Sequence, residues 1–182
     1  MNFLRNRLIH KSPLLIAISI LLIGCSPMNI KDFKDSKIKL IPEEFFVGNL
    51  VGNGSFFSRF GENKMFRLEL TGRIENNDLL IDETATYQDG EVTTTSYRFE
   101  KIDANHYKIS SPGFVKPIIG ELYGNALHWT YHYKHKTSSG ETVIKFDDWM
   151  VLHEDGILLD RAFGSKWGID VGEIVMSLQR VD

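Results

Sequence analysis

Cysteine is all but missing from this chain: Cys25 is the only one in 182 residues. A single thiol rules out an intramolecular disulfide and any metal site built on paired cysteines. Sustained helical periodicity is missing too; only Pro42-Glu43-Glu44-Phe45-Phe46 reads as a turn of helix. There is no internal repeat, no low-complexity run and no basic surplus for gripping nucleic acid. Catalytic signatures are also absent. The chain has no Gly-x-Ser-x-Gly elbow and no His-Glu-x-x-His. Gly52-Asn53-Gly54-Ser55 lacks the Gly-Lys-Ser/Thr ending of a phosphate loop. Asp147 and Asp148 are adjacent, so in a strand they point to opposite faces and cannot act as a pair. His153 and Glu154 border a turn. His128 and His132, on one strand face, would sit about 13 Å apart, too far to share a metal ion. These absences point away from an enzyme and from any cofactor or metal.

What is present begins with an address. Arg5, Arg7 and Lys11 precede an apolar stretch from Pro13 to Ile23, too short to cross a bilayer, and Leu22-Ile23-Gly24-Cys25 has the form of a lipobox. Residues 1–24 read as a cleaved leader, with Cys25 as the lipidated new N-terminus. Two or more acyl chains are enough for stable anchoring to a membrane. Ser26 follows the cysteine instead of an inner-membrane retention Asp, so the expected location is the periplasmic face of the outer membrane. Three of the 21 Lys and Arg lie in the leader, which leaves 18 against 24 Asp and Glu. Such an acidic domain suits neither nucleic acid nor anionic headgroups. Residues 25–41 read as a tether that packs on the domain near Ile38 and Leu40, and residues 42–182 as one folded unit.

Within that unit, short strands alternate with turn signals. Phe66, Leu68, Leu70, Gly72 and Ile74 alternate with Arg67, Glu69, Thr71 and Arg73, the period of a sheet wetted on one side. Gly72 on the apolar face suggests a bend or a bulge, as curved sheets and barrels require. Further strands are expected at 79–87, 91–102, 106–110, 118–123, 126–136, 141–153, 157–163 and 171–180. Asp89-Gly90 and Asp155-Gly156 read as two-residue hairpin turns. Eight to ten strands joined by tight turns must hide their edges, so the expected fold is an all-β, antiparallel up-and-down barrel of the lipocalin-like type.

Several segments carry a resemblance. The lipobox start, Tyr87-x-Asp89-Gly90, Gly124-Asn125-x-Leu127-x-Trp129-x-Tyr131, Phe146-Asp147-Asp148-Trp149-Met150 and Arg161-Ala162…Val171-Gly172-Glu173 resemble a proteobacterial lipoprotein family, domain of unknown function 3833. The likeness covers nearly the whole mature chain and implies a lipoprotein, but no activity. A looser similarity is to lipocalin-like barrels, with Gly48-Asn49-Leu50 opening the first strand.

The two-residue turns place charges on apolar faces. Asp148 and Arg161 then share a face with Phe146, Met150, Leu159 and Phe163, and Glu83 and Arg98 lie diagonal to each other one hairpin earlier. Asp148 and Arg161 read as a register-fixing ion pair, a ligand anchor or a solvated pair, and Glu83 and Arg98 as an outward surface pair or an interior one, since the pattern leaves open which of their faces points inward. Trp129, Tyr131 and Tyr133 share one face of their strand, whose inward side the pattern leaves open. The expected function is non-catalytic binding of an acyl lipid or fatty acid. Arg161 and Arg98 would hold its head, Asp148 and Glu83 would orient them, and Trp129 and Tyr131 would line the cavity. The alternative is an envelope scaffold with a solid core, engaging a protein partner through outward aromatics such as Trp149 or Trp167.

Overall fold

The computed structural model describes residues 28–137 and 140–181. Leader and lipobox, Cys25 included, lie outside the described residues. Ten strands run in chain order: β1 (Gly48–Ser58), β2 (Lys64–Glu75), β3 (Asp78–Tyr87), β4 (Val92–Lys101), β5 (His106–Ser110), β6 (Ile118–Tyr123), β7 (Ala126–Thr137), β8 (Gly140–Leu152), β9 (Leu158–Lys166) and β10 (Ile169–Val181). Each pairs antiparallel with its neighbours in sequence, and β10 returns to β1, closing an up-and-down barrel. Closure removes every sheet edge, as a meander of this length requires.

One end of the barrel is shut. The short helix α1 (Pro42–Phe45) begins with proline, whose fixed φ suits a first turn. It carries Phe45 and Phe46 under the barrel, where Phe46 packs 6.3 Å from Phe99. Arg180 of β10 donates to the carbonyls of Glu44, Phe45 and Val47, tying this lid to the wall. Gly72 serves the lid as well. The β2–β3 register runs through it unbroken and the β1–β2 pairing ends on it in step, so of the expected bend or bulge there is no bulge. A Cβ at this position would meet the Phe46 carbonyl oxygen at 1.8 Å, and the glycine permits that approach. The register shift occurs instead in β10, between Asp170 and Gly172.

The segment read as a tether lies against the outer wall. A 3₁₀ turn at Ile30–Phe33 buries Ile30 against Ala126 and Trp149 near the closed end. Asp147 accepts from Trp149 Nε1 at 2.8 Å and lies 3.2 Å from His128 Nε2, holding the indole in place beneath Phe33. Trp149, an outward aromatic on sequence grounds, is therefore covered.

Candidate functional site

Both hairpins that were to set the charge pairs differ from expectation by one residue. Tyr87 N–H bonds the Glu91 carbonyl and His153 N–H bonds the Ile157 carbonyl, so three residues form each loop. Gly90 at φ +88° and Gly156 at φ +81° take the left-handed position that such a three-residue loop requires. One residue of slip turns every following side chain to the other face. Asp148 consequently pairs with Ala162 and points inward, while Arg161 points outward. Arg161 bonds Glu173 at 2.8 Å and lies over the Phe163 ring. Likewise Glu83 faces inward, whereas Arg98 is on the surface, 3.5 Å from Asp78. Neither expected Asp–Arg or Glu–Arg pair exists.

The slip brings in a residue that sequence reasoning passed over. In β9, Leu158, Asp160, Ala162 and Gly164 face inward and are buried, while Leu159, Arg161 and Phe163 face outward. The outward set looks the more apolar, which is why alternation alone hides Asp160. Across the ladder, Asp148 and Asp160 lie diagonal on the inner face, 4 % and 1 % exposed. Glu83 of β3, Tyr97 of β4 and Tyr131 of β7 complete the same level.

Below this level the inward side chains, among them Leu50, Leu70, Phe99, Tyr107, Leu127 and Leu178, are fully buried. Above it many are not. Glu83, Tyr97 and Tyr131 sit deep inside the barrel yet keep solvent-accessible surface, as do Thr95, Tyr133, Ile144, Ile174 and Met176. A deep group that water still reaches lines an internal space. The upper half of the barrel is thus a cup, with apolar and tyrosine walls and a floor of three carboxyl groups. Phe114, carried by the 111–117 loop, stacks on Tyr131 at 4.6 Å, and Tyr131 stacks on Phe146 at 5.3 Å, forming an aromatic wall. Trp129 and Tyr131 both face inward.

The floor is electrostatically unbalanced. Trp129 Nε1 donates to Asp148 Oδ2 at 2.9 Å. Asp148 Oδ1 and both Asp160 carboxyl oxygens have no partner in good hydrogen-bonding geometry, although the two carboxyls lie beside each other and the Tyr131 hydroxyl lies beside Asp148. Burial holds all three carboxyls above the ordinary carboxylate range, Glu83 at about 7. The neighbouring Asp148 charge raises Asp160 further. The upward shifts mean that the floor keeps protons to a higher pH than exposed carboxyls do. No set of three His, Cys, Asp or Glu among the described residues is placed to hold a metal ion.

The sequence matches the family model described as Protein of unknown function (DUF3833) over residues 19–180. No curated protein matches it. Among solved structures, Rv2717c from M. tuberculosis superposes with a TM-score of 0.55 at 12 % identity, covering 79 % of this chain and 99 % of that one. The S-type phycobiliprotein lyase CPES from Guillardia theta superposes with a TM-score of 0.57 at 10 % identity, covering 86 % and 99 %. At such identities the likeness is one of fold, and both are lipocalin-like barrels.

Proposed function

This chain belongs to the family described as Protein of unknown function (DUF3833), and we propose that it is a membrane-anchored periplasmic lipoprotein whose barrel binds an amphiphile without transforming it. The carrying observation is the cup: one end sealed by α1, the other lined by water-accessible tyrosines and aliphatic side chains around a polar floor. Mostly apolar walls with a few convergent polar groups are the usual make-up of a small-molecule site. An acyl chain suits the wall at Ile144, Ile174 and Met176. A free fatty acid suits the floor poorly, since its carboxylate would face three carboxyl groups and no inward arginine. The acyl-lipid reading therefore survives with a head other than a carboxylate. Anchoring rests on the lipobox at Cys25.

The scaffold reading has one observation of its own. Phe57, Phe60, Phe163, Trp167 and Ile169 are exposed on and above the outer face of β1, β9 and β10. Beside them a shallow groove of about 530 Å³ is lined partly by Met65, Leu159 and Val175. Exposed apolar patches of this kind mark interaction surfaces.

Native mass spectrometry of the full chain, purified from bacterial cells in nonionic detergent, tests the binding reading. A co-purifying small molecule that persists in Arg161→Ala and is lost in Tyr131→Ala is the expected result. A ligand-free mass, with a protein lost on Trp167→Ala, transfers the function to the outer surface.

A further inference from the structure

We infer that the cup's ligand carries a primary ammonium group, which docks among Glu83, Asp148 and Asp160; this rests on the binding reading above. Three carboxyl groups from three separate strands converge on one level of a barrel interior. Inward neighbours facing them are the phenols of Tyr97 and Tyr131 and the indole of Trp129, none of them a cation. Among the described residues no Lys, Arg or His pairs with any of the three carboxyls. The basic side chains on inward positions lie at the ends, His135 and Lys166 at the mouth among them, with Lys166 over the Trp167 ring. Lys64 engages Asp89 and Glu91 at the mouth, Lys101 reaches Glu43, and Arg180 holds the lid.

A buried acid without a partner is costly, and an aliphatic side chain would fill each position more stably. Asp148 and Asp160 lie close enough to share one proton. That proton satisfies one oxygen of each at most and leaves the other Asp160 oxygen with no donor, at 1 % exposure. The missing element is a donor, and more than one. An alkylammonium brings three N–H donors on a compact charge, matching the free oxygens of Asp148, Asp160 and Glu83. Tyr97 and Tyr131 bring their phenol groups to the same level, with the Tyr131 hydroxyl beside Asp148. Above the floor, Ile174 and Met176 accommodate the attached chain. A planar guanidinium prefers a flat two-point carboxylate, whereas these carboxyls approach from three directions.

Three six-carbon probes separate the possibilities: hexylamine, hexanol and hexanoate, titrated calorimetrically into the full chain in nonionic detergent at pH 7.5. The expected result is one saturable site for hexylamine, at least tenfold tighter than for hexanol or hexanoate. Asp160→Asn and Glu83→Gln should each weaken hexylamine at least tenfold and leave hexanol unchanged. Both variants are isosteric, and circular dichroism confirms that the barrel is intact. Equal affinity for all three probes, or hexylamine binding indifferent to both substitutions, overturns the ammonium site and leaves an apolar cup standing. Failure of all three probes to bind overturns the binding reading along with it.

Discussion

At the scale of single residues, the barrel stores its unusual chemistry in Glu83, Asp148 and Asp160. Burial raises all three above their ordinary values, and the sign of the pH dependence follows. Well below their ordinary values of 3.8 and 4.5 the carboxyls are neutral in the folded and unfolded chain alike, so their burial carries no ionisation cost. As pH rises towards 7 the unfolded chain releases protons that the folded chain retains, and stability falls. Exposed Asp89, Asp103 and Asp170 are shifted downward by their hydrogen bonds and act in the opposite sense. Their effect is confined to pH values near and below their ordinary range. The melting temperature should therefore decline between pH 4.5 and 7.5. Glu83→Gln should flatten the decline and stabilise the barrel at pH 7.5 by about 1–3 kcal/mol. Thermal melts of both proteins across that window check it; a melting temperature that climbs with pH would mean Glu83 is ionised in the fold.

At the scale of elements, glycine does two separate jobs here, and substitution distinguishes them. Gly156 has open space around it and only a positive φ to defend. Gly156→Ala should cost about 1–2 kcal/mol, the ordinary penalty for a left-handed alanine. Gly72 has an ordinary φ but no room, since the lid's Phe46 carbonyl occupies the space of a Cβ. Gly72→Ala should push α1 off the closed end and cost about 3 kcal/mol or more. Urea unfolding of the two variants gives both numbers; equal costs would refute this division. The same elements show what sequence could and could not reveal. Strands β5 and β6 match their expected bounds, and α1 appears where Pro42 and the paired phenylalanines placed it, because these signals are local. Which way each strand faces is not local. It turned on whether Asp89-Gly90 and Asp155-Gly156 close loops of two residues or three, and both turn types accept the same dipeptide. The floor remained hidden for that reason, along with the composition of β9, whose solvent face carries Leu159 and Phe163 while its core face carries Asp160.

At the scale of the whole molecule, position and orientation are linked. Ile30 is docked near the closed end, against Ala126 and Trp149. Four residues lie between it and Cys25, five Cα steps that reach roughly 17 Å when extended. Lipidation at Cys25 would then hold the closed end near the bilayer and turn the mouth, with Phe60 and Trp167 at its rim, away from it. Because the chain's only cysteine is then acylated, a new one can be labelled selectively. Fluorophores on Glu154→Cys at the closed end and Glu62→Cys at the rim, each read in vesicles containing doxyl-labelled phospholipid, report the two ends. Quenching at the closed end but not at the rim is expected. The reverse would place the mouth on the membrane.

By itself the sequence determined the all-β class, the strands to within a few residues, and an up-and-down barrel. These follow from alternation and from turn residues, whose preferences act over a few positions of backbone. Only the tertiary structure decided which side chains meet inside. Closing the barrel makes each strand's facing depend on the loop before it, so one extra loop residue exchanges core and solvent. That exchange sent Arg161 and Arg98 outward and set Glu83, Asp148 and Asp160 around one buried floor.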